Sequence, residues 1–311
     1  MNSLEIFQLL YLIPSLIFMG IIGYLLLKNI LMGTPTFCNE FYPFLCYRII
    51  NDLFYHVSML FMLKFPIWGF FLDTFTDNTF LAQIGFLIGT STCSVPFIHG
   101  LIISFIRFVA IYYPIKYKSI FTSRRIKQMC IGMFLCSFGI GLPTVFFESS
   151  YLLKNDTFTL TPSYITSSII FYQMSYGIFF YGSAIVLSFS LNVLNIIGLN
   201  RKKYNRNIRY SDKYYIIYSF FTLFTSILME IYIAFRIGGT YLKNINVNYI
   251  ANTVLSWSAD IVTLGNFYFI IIISRDIRKL LAESFRIMFS KENYSYSSGQ
   301  YVQTKNNGTN I

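Results

Sequence analysis

Residues 201–213 read Arg201-Lys202-Lys203-Tyr204-Asn205-Arg206-Asn207-Ile208-Arg209-Tyr210-Ser211-Asp212-Lys213, a basic run with one acid between two long apolar stretches, 166–200 and 214–237. Lysine and arginine in short loops stay on the cytoplasmic side of a bilayer, so this loop orients the chain. Working outward, every second loop is also basic: 28–48 (Lys28, Arg48), 114–127 (Lys116, Lys118, Arg124, Arg125, Lys127) and the tail from 274. Of the 24 Lys and Arg residues, only Lys64, Lys154, Arg236 and Lys243 fall toward the other side. A helix needs about 20 apolar residues to cross the hydrocarbon. The stretches 6–27, 44–70, 79–113, 128–148, 166–200, 214–237 and 249–273 read as such spans. They must be helices, because a lipid-exposed backbone has to satisfy its own hydrogen bonds. The expectation is an all-α membrane protein, a seven-transmembrane helix bundle with its N-terminus outside and its C-terminus cytoplasmic.

Composition agrees. The 311 residues are 55% hydrophobic and only 12% charged, about half the charged share of a water-soluble domain. The net charge of +11 lies in loops between apolar spans, which fits a bilayer partner and argues against nucleic acid. Tyrosines crowd the span boundaries (Tyr112, Tyr113, Tyr151, Tyr164, Tyr214, Tyr215), as an interfacial belt requires. Glu5 precedes the first span and Lys28 follows it, so that helix can serve as its own anchor signal. None of Cys38, Cys46, Cys93, Cys130 and Cys136 falls in an outer loop, so no extracellular disulfide is expected. Two histidines and no Cys-x-x-Cys pair give no metal site and no cofactor.

The outer loop 149–165 holds the sequon Asn155-Asp156-Thr157, an expected glycosylation site. Sequons at Asn293 and Asn307 face the cytoplasm on this map and go unused. From Ser274 to Ser290, Ile277, Leu280, Leu281, Phe285 and Met288 recur at helical spacing, with Arg275, Arg278, Lys279 and Arg286 on other faces. That pattern predicts a short amphipathic eighth helix in the inner interface. Residues 1–290 therefore form the seven-transmembrane domain with its eighth helix, and 291–311, polar and rich in Ser, Tyr and Asn, a disordered cytoplasmic tail.

The run Ile106-Arg107-Phe108-Val109-Ala110-Ile111-Tyr112-Tyr113-Pro114-Ile115-Lys116-Tyr117 resembles the Asp-Arg-Tyr region of rhodopsin-like G-protein-coupled receptors. Arg107 takes the place of the motif's Arg, but Ile106 stands for the acid and Phe108 for the Tyr. Asn266-Phe267 resembles the Asn-Pro of their last span, and Ser274-Arg275-Asp276-Ile277-Arg278 resembles the entry to their eighth helix. Asn51-Asp52 matches the polar region of their second span. No Pro occurs in span six and no Trp in span four. Tyr47-Arg48 with Asp52, the Arg107 run and Ser258-Ala259-Asp260 make the chain most similar to nematode serpentine chemoreceptors of the gamma superfamily, class V. The resemblance implies a small-molecule ligand, a heterotrimeric G protein and a sensory cell's plasma membrane.

Several polar residues inside spans invite a functional reading, because charge there is costly. Arg107 either reaches for headgroups or points into the inner end of the bundle beside Pro96, Gly100 and Ile103. The resemblance makes it a G-protein contact together with Phe108, Pro114, Lys202 and Lys203. Lacking a neighbouring acid, its inactive position must be held in some other way. Asp52 shares a helix face with His56, and either fixes packing or relays activation, paired with His56 or with Asn266. Glu230, Asp260, Lys64 and Arg236 lie at comparable depth and are expected to pair around an outward cavity. The expected ligand contacts are Lys64, Tyr172, Tyr176, Glu230, Trp257 and Asp260, with mostly apolar walls. Simple interhelical pairing without a ligand explains the same charges.

Span seven carries no Lys from 249 to 273, which excludes a retinal Schiff base. No Ser–His–Asp set or metal cluster supports an enzyme. A transporter or channel needs a continuous polar path and matching broken halves, and neither is evident. The expected function is a chemosensory G-protein-coupled receptor for a small organic ligand, with a seven-helix transporter or a ligand-free membrane protein as the alternatives.

Overall fold

The computed structural model describes residues 3–37, 39–154, 159–204, 210–242 and 257–286. Seven main helices follow one another among the described residues: α1 (Ser3–Leu31), α2 (Phe41–Met59), α3 (Thr79–Tyr112), α4 (Ser123–Gly141), α5 (Gly182–Tyr204), α6 (Tyr210–Tyr241) and α7 (Trp257–Ile273), of which α1, α3, α4, α5 with the turns before it, and α6 are by themselves long and apolar enough to cross a membrane. The expected first part of α7, from 249, lies outside the described residues. The chain divides into two compact units, Met1–Phe269 and Ile270–Ile311. In the second, Ser274 separates the end of α7 from α8 (Arg275–Arg286). There Ile277 and Leu280 are buried while Arg275, Arg278, Lys279 and Arg286 are exposed, the two-faced pattern expected of an interfacial helix.

Within the first unit α3 is the central helix. Two thirds of its apolar window (67%) is buried, against 22% for α4, and it packs on α2, α4, α5 and α6. A helix apolar on every side belongs at the middle of a bundle. Close approach to α3 is set by glycines. A Cβ on Gly141 of α4 would stand 1.9 Å from Ser91 Oγ and 2.7 Å from the Leu87 carbonyl oxygen. One on Gly198 of α5 would stand 2.6 Å from Ile111 Cγ2. Small residues let helix backbones meet where no hydrophobic effect drives them together.

Three spans widen into π turns. α2 continues through Leu60–Lys64, α5 is preceded by Ser175–Tyr181, and α7 contains Ile261–Gly265. Such turns insert an extra residue and are frequent at functional sites. Helix Ile169–Met174 leads into the second of them.

Two connections are more ordered than the sequence predicts. Pro114–Ile120, within the expected basic loop 114–127, is a short helix with proline at its favoured first position. The segment 149–165, expected only as a loop with a sequon, forms a hairpin of β1 (Ser149–Lys154) and β2 (Thr159–Tyr164) with Ser149 opposite Tyr164. Asn155, Asn293 and Asn307 lie outside the described residues. Tyr151 anchors the hairpin: its hydroxyl donates to the Met62 carbonyl at 2.7 Å, and its ring meets Phe75 edge-on at 4.8 Å. Tyr164 stacks on Phe86 of α3, centroids 3.9 Å apart. Burial pushes both hydroxyls above their ordinary range, so both remain protonated.

One loop charge is reassigned. Arg48, counted by position among the basic loop residues, lies inside α2 and is 3% exposed. Its Nε donates to Asp52 Oδ2 at 2.7 Å. A charge placed one turn from a carboxylate on the same helix face is compensated within the span.

Candidate functional site

A cavity of about 190 Å³ lies among α2, α3, α6 and the helical segment leading into α5, bordered by Thr161 and Pro162 of β2. Both π turns nearest the hairpin contribute, through Met62 and Leu63 on one side and Tyr176 and Tyr181 on the other. The walls are aromatic and sulfur-rich: Tyr55, Phe86, Tyr232, Met59 and Met229. The polar positions are Thr90, Cys93, Gln173 and Arg236. Arg236 donates from Nη1 to the Tyr232 hydroxyl at 3.1 Å, and its guanidinium carbon lies 5.9 Å from the Phe86 centroid. Mostly apolar walls with a few polar anchors describe a small-molecule site.

Of the six expected ligand contacts, only Tyr176 lines this cavity. Tyr172 is next to it, its ring 5.2 Å from that of Tyr176, but its hydroxyl is taken by the Ile140 carbonyl at 2.5 Å. Lys64 follows two lining residues in the π turn of α2 without lining the cavity itself. Glu230 is half-buried, and its Oε2 meets no hydrogen-bond donor among the described residues. Trp257 is exposed at the start of α7. Asp260 turns to α1, accepting from Gln8 Nε2 at 2.5 Å and from the Tyr11 hydroxyl. Of the four charges expected to pair around an outward cavity, Arg236 alone is among the described residues that line it, and Asp260 turns to α1. Arg236, expected only as a pairing partner, is the charge that reaches the cavity.

The middle of the bundle is polar. Asp52 is buried and receives Arg48 and, at 3.3 Å, Asn51 Nδ2, not His56 or Asn266 as expected. His56 Nε2 meets Thr263 Oγ1 at 2.6 Å, and its Nδ1 lies 3.9 Å from Asp260 Oδ1. Thr263 already donates to the Ala259 carbonyl, so the proton on this contact belongs to His56 Nε2. Asn266 Nδ2 donates to Thr225 Oγ1 of α6 at 2.9 Å and to the Val262 carbonyl. Arg48 Nη2 donates to that same carbonyl at 3.2 Å. Asp52 and Asn266 are thus joined through Arg48 and one backbone oxygen of the α7 π turn. A second network, unremarked in the sequence because Ser and Asn are common in spans, links α3, α5 and α6. In it Ser104 Oγ is 2.9 Å from Ser219 Oγ, which donates to Asn192 Oδ1 at 2.7 Å.

At the opposite end from the hairpin, Arg107 is buried, 4% exposed. Its guanidinium carbon lies 3.8 Å from the centroid of Tyr215 in α6 and 5.7 Å from that of Phe41 in α2. Two aromatic faces flank the guanidinium, a cation–π seat. Phe108 packs on Tyr112, centroids 4.8 Å apart, and Pro114 is exposed. Lys202 and Lys203 fall in the last turn of α5, and their side chains lie outside what is described.

The sequence family described as "Serpentine type 7TM GPCR chemoreceptor Srv" matches residues 8–287. The chain is also similar to lysophosphatidic acid receptor 6 of Mus musculus, 27% identical over 135 residues, and of Homo sapiens, 27% identical over 134. In both cases the matched stretch covers 40% of this chain and 39% of the relative's length.

Proposed function

Since the chain belongs to the Srv family of serpentine seven-helix G-protein-coupled chemoreceptors, we propose that it is a chemosensory receptor that binds a small organic molecule in the hairpin-end cavity and signals through a heterotrimeric G protein. One observation carries this reading: α6 serves both ends. Its Tyr232 and Arg236 line the cavity, and its Tyr215 carries the guanidinium of Arg107. These positions are about 30 Å apart along the helix axis. A ligand shifts such a helix only by binding one of its arrangements more tightly. In this reading, occupancy of the cavity moves α6, lifts Tyr215 from Arg107 and opens the basic end to the G protein. Arg107, Phe108, Pro114, Lys202 and Lys203 form the coupling face, and Asp52 and Asn266, through Arg48, relay the change between α2 and α7. Tyr176 contacts the ligand.

The same reading puts the N-terminus outside, the basic loops and tail in the cytoplasm of the plasma membrane, and a glycan on Asn155. It is tested in cells expressing the receptor, with a second-messenger readout against a panel of small organic molecules. Arg107→Glu should abolish the ligand-driven response while surface expression persists. An undiminished response in that variant overturns the mechanism.

A further inference from the structure

Two tyrosines on the cavity wall use their hydroxyls within the protein: Tyr181 is 2.6 Å from Ser94 Oγ, and Tyr232 accepts from Arg236. Two other polar side chains on the wall do not. Tyr55, 4% exposed, reaches the cavity from α2, and its hydroxyl meets no hydrogen-bond partner. Its neighbour is the Cys93 thiol, a weak hydrogen-bonding group. Gln173, 5% exposed, reaches the cavity from the helix leading into α5, and its amide makes no hydrogen bond with the described residues. A buried polar group without a partner costs stability, and an apolar residue of the same shape would avoid that cost. A site that pairs such groups with a ligand gives the cost a use, because a molecule lacking the matching group leaves them unpaired and is rejected. Tyr55 offers a donor and an acceptor, and Gln173 two donors and an acceptor.

The two groups stand at different levels of the bundle. Tyr55 and Met229 also line a second cavity of about 10 Å³, beside Asp52 and Thr263. Gln173 is one turn before Gly177, where an added Cβ would lie 3.0 Å from Ile233 and 3.3 Å from Ile237. Ile237 is about two turns beyond Met229 on α6, so the levels of Gln173 and Tyr55 differ by on the order of 10 Å. Met59, Met62 and Ile233 add adaptable apolar wall.

We propose that the cavity selects molecules carrying a hydrogen-bonding group at each end of a short apolar spacer, such as diols, hydroxy-ketones or hydroxy-amides, and that the Tyr55 hydroxyl and the Gln173 amide are the two groups that set this preference. This rests on the receptor reading above and narrows its ligand class. The experiment uses the full-length receptor purified in detergent, with its thermal transition followed against hexane-1,6-diol and hexan-1-ol at matched free concentrations. A merely apolar cavity would favour hexan-1-ol, because a second hydroxyl buried without a partner is costly. In the wild type the diol should instead act at concentrations about tenfold lower, the worth of one further hydrogen bond. Tyr55→Phe and Gln173→Met should each reverse that order, since one end of the diol then goes unpaired. Without any probe, Tyr55→Phe should unfold no lower than the wild type, because it removes a buried group that has no partner. The ranking of the two probes on the wild type needs no variant, so a poorly folding Gln173→Met leaves the test intact. Hexan-1-ol matching or exceeding the diol, failure of the diol to bind, a diol preference surviving in either variant, or an unliganded Tyr55→Phe less stable than the wild type would each overturn the assignment. These are measurements of binding and stability, and the Arg107→Glu signalling assay judges the receptor reading separately.

Discussion

The guanidinium carbon of Arg107 sits over the ring of Tyr215, 3.8 Å from its centroid, tying the end of α3 to the start of α6. A desolvated cation–π contact is worth about 2 kcal/mol, which corresponds to a shift of about thirtyfold in a two-state ratio. Tyr215→Ala should therefore raise ligand-independent signalling severalfold or more, while Tyr215→Phe, which keeps the ring, should stay near the wild-type level. Basal second-messenger production per receptor at the cell surface decides between them, and a silent Tyr215→Ala receptor would show that this contact does not restrain α6.

Arg48 and Asp52 are a buried pair, each 3% exposed. Removing one partner strands a charge and costs about 3–5 kcal/mol, whereas replacing both by apolar residues of similar volume is often close to neutral. Arg48→Met or Asp52→Leu alone should sharply lower thermal stability in detergent. The double variant should recover most of the loss. If the double variant is as unstable as the worse single one, the pair's role is not mutual charge compensation.

At Gly141 the neighbour is partly backbone: a Cβ there meets the Leu87 carbonyl as well as Ser91 Oγ. Gly141→Ala should destabilise the bundle by about 1–3 kcal/mol, the usual cost of overpacking. Adding Ser91→Ala should restore only part of that, because the carbonyl remains. Full rescue in thermal unfolding would mean that α3 and α4 can move apart freely.

Tyr151 holds the hairpin to α2 with one hydrogen bond, to the Met62 carbonyl. Tyr151→Phe removes about 1 kcal/mol and should raise amide hydrogen exchange in β1 and β2 about fivefold, leaving α3 unchanged. Burial raises the Tyr151 hydroxyl above its ordinary range. A raised group of this kind contributes its stability in full below the unfolded-state value of about 10 and loses it only as pH climbs through the folded one. Hairpin protection should then be constant from about pH 6 to 9 once intrinsic exchange is corrected, and a fall within that window would contradict the anchoring role.

Much of the fold can be read from the sequence, because hydropathy and the alternation of basic loops act over whole spans and tolerate local error. The eighth helix is equally legible, since Ile277 and Leu280 fall one turn apart among basic residues. The site is less so. Placing Lys64, Glu230 and Asp260 around one cavity requires knowing which way each side chain points, and the π turns at Leu60–Lys64, Ser175–Tyr181 and Ile261–Gly265 upset the 3.6-residue count that such placement depends on. Arg48 was misread because charge counting by loop treats any arginine at the edge of an apolar run as solvent-facing. The available signal was Asp52, one turn further along the same helix. Arg236 offered no such signal: its place beside Phe86 follows from α3, a helix distant in sequence.

The Val262 carbonyl takes hydrogen bonds from both Arg48 and Asn266. Sliding α7 by a single turn would carry Asn266 and that carbonyl away together, so the Arg48 bond to α7 and the Asn266 bond to Thr225 of α6 would be lost in one step. Packed interiors tend to switch between discrete arrangements, and a shared acceptor of this kind gives α2 and α7 a latch with two positions, so that graded doses of a stimulus would alter how many molecules have switched, not how far each one has moved.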